Sequence, residues 1–461
     1  MRLTGIYLAC LSLVGAYGGR EPSQETFKEN LILRPLPDGR LLAHFVFDTE
    51  IEQNQSLPLQ HYDLFPRQIS EMVQRYHTEE LILSFTQGTW RFEDWDTPPI
   101  NEIGSGAQVL AKVGSNERGV YGNWKGLTNA LSGMFCASLN FLDHTNSVVP
   151  GQTFKLPKGS QAQGQYFGVY NATTLLGQLP RENVCTENLT PWIKQLPCQT
   201  KAGIAALLNP HRLYDSDFFS MGLSFKPTCK SPSCEEIMLS YTQTLTAVLD
   251  LSRLMDGKKW SLRDIFDREV RNSCPLARSS SVQIIYPDTL NLQLESAHAK
   301  PKVHEISSFL KAAAFDLRNE SVLDLQLSWE PFKAKTDNSA WISAHRFVLG
   351  HGSENGGIET LVTNNLPMHL NITYFDLIPW YLHVYAHTIK IQAHLGNGAI
   401  KELDYHDFQY QQPKIRGRPA ILEFGLTLPP NSWTSVQYDF DKGFLKYSEH
   451  PPDANRGFNI G

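Results

Sequence analysis

The chain has 461 residues, of which 41% are hydrophobic and 19% charged, and its formal net charge is −6. This length predicts two or three domains, and the composition excludes both a disordered chain and a protein that crosses a membrane many times. The acidic balance and the lack of a long Lys or Arg block argue against nucleic-acid binding.

The N-terminus predicts a secretory signal peptide over residues 1–18. Arg2 precedes an apolar run, and Ala16-Tyr17-Gly18 offers a small-x-small cleavage site. The run is too short for a stop-transfer helix, and no later stretch of the sequence is apolar enough to predict a membrane span. We therefore expect the mature chain to lie in an oxidising, lumenal compartment.

The elements of the N-terminal half are predicted to be mainly strands. Residues 31–49 alternate apolar and polar side chains around a Pro-Asp-Gly turn, which predicts two paired strands. Residues 66–76 have helical spacing. Residues 201–208 are a candidate short strand, and the pattern of 237–254 suits a strand at least as well as a helix.

The pattern weakens over 293–305, which we interpret as a linker between an N-terminal domain at 19–292 and a C-terminal domain at 306–461. Short alternating segments recur beyond it, and Asn355-Gly356 and Asn397-Gly398 are predicted hairpin turns. We predict a mainly β protein with a few helices, built from two β-sandwich-like lumenal domains with antiparallel sheets.

Seven cysteines are present, and removal of the signal peptide takes Cys10 with it. Cys136 falls on a predicted helix at 125–141 and is expected to be a buried core residue. Cys229 and Cys234 bracket a turn and are a candidate intrachain disulfide, although six cysteines allow fifteen pairings. The zinc alternative lacks a second Cys or His pair at useful spacing.

The stretch from Val184 to Trp192 places the Cys185 thiol beside an Asn-x-Thr glycan acceptor. Its polar residues predict an exposed segment, where Cys185 is free to bond outside its own chain. No basic neighbour would favour its thiolate, so it is a poor nucleophile. Pro191, directly after the tripeptide, would hinder glycosylation there. The candidate glycosylation sites are Asn54, Asn171, Asn188, Asn319 and Asn371.

Other catalytic and cofactor signals are weak. There is no Gly-x-Ser-x-Gly nucleophile motif. His383 and His387 could share a face, but no third metal ligand is evident. We predict no cofactor, no metal and no catalytic residue in this chain.

Several blocks of sequence resemble the PIG-T family, the lumenal subunit of the glycosylphosphatidylinositol (GPI) transamidase complex. They occur in family order from about residue 25 to the end. The blocks are Leu83 to Gly88 with Trp90-Arg91, Leu131 to Phe141, Val184 to Trp192, Trp260-Ser261-Leu262, Cys274 to Ala277, and Ile378 to Leu382.

This resemblance implies a non-catalytic subunit of a complex that joins GPI lipids to proprotein C-termini in the endoplasmic reticulum. The expected partners are a caspase-like catalytic subunit and other membrane subunits, with the GPI lipid and proprotein contacted indirectly. It implies that Cys185 forms an interchain disulfide with the catalytic subunit. Family members continue into a C-terminal transmembrane helix, which is expected to be absent from this chain.

Two other functional hypotheses stay open at this point. One is a stand-alone secreted hydrolase that uses a cysteine or a carboxylate pair. The other is a lumenal glycan-binding sandwich.

Overall fold

A computed structural model describes residues 25–460 except for several short segments. These segments are 55–61, 102, 144–145, 155–171, 181, 230–235, 254–258, 297–299, 308, 320–322, 324, 331–339, 351–353, 451–456 and 459. The predicted signal peptide lies outside the described residues.

The helices and strands are numbered in chain order. The helices are α1 (Arg67–Arg75), α2 (Phe92–Trp95), α3 (Gly119–Phe135), α4 (Thr186–Lys194), α5 (Pro210–Tyr214) and α6 (Leu262–Phe266). The first fourteen strands are β1 (Glu25–Pro35), β2 (Leu41–Asn54), β3 (Thr78–Gly88), β4 (Gly106–Val113), β5 (Ser147–Val148), β6 (Thr173–Leu179), β7 (Phe218–Cys229), β8 (Glu236–Leu249), β9 (Trp260–Ser261), β10 (Ser279–Pro287), β11 (Gln293–Ser296), β12 (Lys302–Ser307), β13 (Leu310–Asp316) and β14 (Leu325–Ser328). The remaining strands are β15 (Ile342–Leu349), β16 (Asn355–Asn364), β17 (Leu370–Ile378), β18 (Leu382–Val384), β19 (Lys390–Leu395), β20 (Ile400–Glu402), β21 (His406–Gln411), β22 (Ala420–Leu428) and β23 (Ser432–Lys442).

An 11-stranded sheet dominates the first part of the chain, in the order β12-β13-β10-β1-β2-β8-β7-β3-β4-β6-β5. Its pairings are antiparallel except for β1 with β10, which are parallel. The 14-residue strands β2 and β8 pair over their whole length near the centre of the sheet. The strands predicted at 31–49 and 237–254, and the helix predicted at 66–76, are confirmed.

Apolar residues cover both faces of this sheet. On one face, Leu131 of α3 and Leu189 and Trp192 of α4 are buried in the main core. The Trp192 ring lies 6.0 Å from the Phe47 ring in an edge-to-face arrangement, and its Nε1–H donates to Gly222 O at 3.0 Å. The opposite face is covered near one end by a second cluster that contains Leu36, Leu42, Trp90, Trp95, Phe218 and Val248.

The C-terminal part is a sandwich of two sheets, as predicted. One sheet has the order β15-β16-β23-β19-β20, with β18 also paired to β23, and the other has the order β17-β22-β21. The two sheets enclose one core, in which Val436 and Tyr438 of the first sheet meet Leu422 and Phe424 of the second. Strands such as β17 and β19 alternate more buried with less buried side chains, which explains why they were recognisable from the sequence, whereas β22 is buried along almost its whole length.

The predicted linker at 293–305 is wrong. Strand β11 pairs with β14, and β12 pairs with β13 at the edge of the 11-stranded sheet. All six residues of β12 are exposed, which explains why its sequence lacks the apolar pattern of an inner strand. The first core continues to Trp329, and the sandwich begins with β15 at Ile342.

Two local predictions also differ from the structure. The strand predicted at 201–208 is instead a 3-10 turn over Ile204–Leu207, entered through Gly203 at φ +73°. Gly356 lies inside β16, where an added Cβ would come within 2.7 Å of the Phe440 ring, so Asn355-Gly356 is not the hairpin turn. The turn predicted at Asn397-Gly398 is confirmed, with Gly398 at φ +81°.

A buried carboxylate joins the sandwich to the large sheet. Glu423 on β22 is only 1% exposed. It accepts hydrogen bonds from the backbone N–H groups of Gly151, Gln152 and Thr153 at 2.8, 3.1 and 3.3 Å, and from Thr153 Oγ1 at 2.7 Å. Ile421, on the same strand, packs beside Val148 in a small apolar cluster. The loop after β5 is therefore fixed to the second domain.

We predict that Glu423→Ala lowers the free energy of unfolding by about 3 kcal/mol, because it leaves four half-buried donors without their charged acceptor. The matched control is Glu402→Ala on the exposed strand β20, expected to change stability by no more than about 0.5 kcal/mol. Chemical denaturation of both variants provides the measurement. Equal stabilities would contradict a structural role for the Glu423 contacts.

Candidate functional site

Cys185 occupies the N-cap position of helix α4. Its backbone is extended, with φ −144° and ψ 178°, and the helix runs from Thr186 to Lys194. Its thiol is free and exposed, as the sequence predicted. Pro191 lies within this helix, where Thr190 Oγ1 donates to the Thr186 carbonyl at 2.9 Å.

The side chain of Asn188 holds Cys185 in place. Its Oδ1 accepts a hydrogen bond from Cys185 N at 2.8 Å, which satisfies a donor at the helix start. Its Nδ2 donates to Phe135 O at 2.8 Å and to Cys136 O at 3.3 Å. One carboxamide therefore joins the start of α4 to the end of α3.

Cys136 is exposed and free, so its predicted core position is wrong. It ends α3 in a left-handed conformation with φ 52° and ψ 42°, which turns it out of the helix and away from the apolar stripe that predicted burial. Helical spacing cannot reveal this, because the residue lies one position beyond the helix. The Asn188 side chain thus bonds to the backbone of both residues that carry a free thiol, Cys136 and Cys185.

Two further contacts support this surface. Glu182 Oε1 accepts from Ser138 N at 2.6 Å, and Tyr214 OH donates to the Cys185 carbonyl at 2.6 Å. Burial, with a smaller contribution from Cys185, raises the pKa of the Tyr214 hydroxyl, which therefore stays protonated as a donor. Sequence reasoning missed all of these residues except Cys185. The Cys185-x-x-Asn188 spacing, typical of an N-terminal capping pair, was the available signal.

The remaining described cysteines are bonded within the chain. Cys198, just after α4, forms a disulfide with Cys274, 76 residues later. Cys229 is also disulfide-bonded. Its predicted partner, Cys234, lies outside the described residues, so that pairing stays a prediction. The Cys198–Cys274 bond closes a long loop and anchors the segment that follows Cys185 and helix α4.

Glycosylation of Asn188 stays a prediction, but the folded structure does not favour it. The Asn188 side chain is 1% exposed, and its Nδ2 is bound to two carbonyl oxygens. Asn371 on β17 is exposed, and its Oδ1 accepts from Thr427 Oγ1 at 2.8 Å, so it stays a candidate. Asn171 and the side chains of Asn54 and Asn319 lie outside the described part of the chain.

The histidine pair considered for a metal is divided between two elements. His383 is in β18, and His387 is in a 3-10 turn at Ala386–Thr388. Within the described residues, no group of three or more His, Cys, Asp or Glu side chains is arranged to hold a metal ion. The same described residues contain no helix that is both long enough and apolar enough to cross a bilayer.

Comparison with known proteins identifies the family. A family model described as Gpi16 subunit, GPI transamidase component, matches residues 10–259 and 253–461. The GPI-anchor transamidase component PIGT of Homo sapiens is 36% identical over 98% of this chain and 79% of its own length. The chain belongs to the Gpi16 family. The GPI transamidase component GPI16 of Saccharomyces cerevisiae, also similar, is 28% identical over 94% of this chain and 78% of its own length.

Membership of the Gpi16 family confirms the resemblance to PIG-T drawn from the sequence blocks. The chain is therefore a GPI transamidase subunit. Neither the secreted hydrolase nor the glycan-binding sandwich is favoured. This Gpi16 chain presents two free, exposed thiols, those of Cys136 and Cys185.

The state of the thiols is directly testable. Alkylation of the isolated, folded chain without reductant should modify Cys136 and Cys185, because both thiols are free and exposed. Mass spectrometry of the unreduced digest should recover Cys198 and Cys274 as one linked peptide pair. Recovery of a Cys136–Cys185 pair, or of alkylated Cys198, would contradict the described arrangement.

The role of Asn188 can be separated from its sequon. Asn188→Ala should lower the free energy of unfolding by about 2–3 kcal/mol, because buried carbonyls lose their donor. Thr190→Ala destroys the same sequon but keeps these contacts, so its stability should change much less. Neither substitution should alter the glycan mass found by electrophoresis before and after deglycosylation. A mass decrease in both variants would show that Asn188 does carry a glycan.

Proposed function

We propose that this chain is a non-catalytic subunit of the GPI transamidase, joined through Cys185 to the caspase-like catalytic subunit by an interchain disulfide. The observation that carries the proposal is that Cys185 is free and exposed, whereas Cys198 and Cys274 are bonded to each other. Cys136 is also free and exposed, and the choice of Cys185 between the two rests on the resemblance to the PIG-T family. The complex would lie in the endoplasmic reticulum, with this chain on the lumenal side, where disulfides persist.

The surroundings of Cys185 support a structural bond rather than catalysis. The side chains that hydrogen-bond to it are those of Asn188 and Tyr214, which contact its backbone N–H and carbonyl groups. A catalytic cysteine needs a base within hydrogen-bonding reach of its thiol, and neither neighbour is a general base. Both contacts instead fix the backbone from which the thiol projects.

A single interchain bond would stabilise the assembly by effective concentration. When two docked domains are linked covalently, rebinding becomes intramolecular, and a small interface suffices. The firm anchoring of Cys185 by Asn188 favours this role, because a thiol on a rigid support needs less ordering when the bond forms. The subunit would thereby support and stabilise its catalytic partner.

The proposal is tested in the assembled complex by non-reducing electrophoresis. Cys185→Ser should abolish a heavier, disulfide-linked band that contains both subunits, while Cys136→Ser, the matched control on the same surface, should retain it. A heavier band that persists in Cys185→Ser would overturn the proposal. Transamidase activity of the purified chain without partners would overturn its non-catalytic role.

A further inference from the structure

Three loops meet at one end of the C-terminal sandwich. They are residues 379–381 between β17 and β18, residues 412–419 between β21 and β22, and residues 443–449 after β23. Ile378, the last residue of β17, pairs with Ala420, the first of β22, so the first two loops emerge together. The first of these loops lies within the Ile378 to Leu382 block of the sequence analysis, whereas no sequence motif singled out the other two.

Specific contacts hold the three loops to one another. Gly443 N donates to Tyr381 O at 2.7 Å. The Arg416 guanidinium lies 5.3 Å from the Trp380 ring centroid, and Arg416 also forms an ion pair with Glu449. The loops therefore present one continuous surface rather than three separate tips.

That surface carries the two most exposed large apolar side chains in the described part of the protein, Tyr447 and Phe444, and a third exposed one, Ile415. Tyr447 is 96% exposed, Phe444 92% and Ile415 66%. Scattered single apolar side chains are normal on a protein surface, but three on adjoining loops form a patch. The near-complete exposure of Phe444 and Tyr447 implies that something outside this domain covers the patch.

The same surface is positively charged. Lys414, Arg418 and Lys446 are exposed and form no salt bridge with the residues that the structure describes. A hydrogen bond from Arg416, with a smaller contribution from the charge of Lys446, lowers the pKa of the Glu449 carboxyl. The nearby Glu449 carboxylate is already paired with Arg416. A local cationic patch contrasts with the net charge of −6 of the whole chain. We call this surface the basic-aromatic end and define it by Lys414, Ile415, Arg418, Phe444, Lys446 and Tyr447.

We propose that the basic-aromatic end docks on the surface of a phospholipid bilayer. Lysine and arginine side chains would bind lipid phosphates, while the aromatic and aliphatic side chains would enter the interfacial region between headgroups and acyl chains. This inference is independent of the disulfide proposed at Cys185. It assigns the domain an orientation, with this end toward the membrane.

The composition of the patch favours a bilayer over a protein partner. Aromatic residues and arginine are enriched in protein–protein interfaces as well as in membrane interfaces, but lysine is depleted in protein interfaces, and two of the three cations here are lysines. The aromatic and aliphatic side chains are also on loop tips, which can enter a soft interface without a shaped pocket. A groove on a protein partner would have to accommodate the three exposed cations in addition to the apolar side chains.

The test is sedimentation of the full chain with vesicles of phosphatidylcholine containing phosphatidylinositol, at low ionic strength. The triple variant Lys414→Gln, Arg418→Gln, Lys446→Gln should weaken vesicle binding about a hundredfold, because the loss of each cation weakens it about fivefold. Phe444→Ser with Tyr447→Ser should weaken it about tenfold, through loss of apolar insertion. Binding by the unmodified chain should also fall as salt is raised, which needs no substitution.

A matched control replaces an exposed aromatic and an exposed cation elsewhere, Phe309→Ser with Lys302→Gln near the edge of the large sheet, and should bind vesicles normally. Thermal unfolding establishes that each variant is folded. No vesicle binding by the unmodified chain, or equal binding by all variants, would overturn the proposal. So would loss of binding to other transamidase subunits in the aromatic variant without any vesicle binding, which would mark a protein interface.

Discussion

The presentation of the free thiols depends on the hydrogen bonds of one buried side chain, the carboxamide of Asn188. It satisfies a backbone donor at the start of α4 and two backbone acceptors at the end of α3. Without it, both helix ends would leave polar groups unpaired at the edge of the core, at a cost of about 1–3 kcal/mol for each group. A single local contact thus determines where Cys136 and Cys185 emerge.

The elements around this contact are held in place by packing, hydrogen bonds and a disulfide. The large sheet is covered by apolar clusters on opposite faces, and Trp192 anchors α4 to it by both packing and a hydrogen bond. The Cys198–Cys274 disulfide holds the chain that leaves the helix. The second domain is attached in turn by Glu423, whose carboxylate receives three consecutive backbone donors.

Regular alternation and recognisable blocks of sequence were enough to predict the β architecture, the helix at 66–76, the exposure of Cys185 and the family. Prediction failed where tertiary context overrides the local pattern. The edge strand β12 has no buried face and resembled a linker. Cys136 lies one residue past its helix, in a left-handed conformation that no periodicity encodes. The basic-aromatic end is assembled from loops far apart in sequence, so its members carry no common motif.

The burial of Asn188 has a consequence for how the chain is made. The nitrogen that an oligosaccharide would occupy is the same nitrogen that bonds to Phe135 and Cys136. A sugar there would replace one of the two Nδ2 hydrogens, so at most one of these hydrogen bonds could form, and the attached glycan would have to fit at a site that is 1% exposed. Glycosylation before folding would therefore oppose closure of the contact between α3 and α4. Pro191, which disfavours the acceptor, thereby favours the native contact.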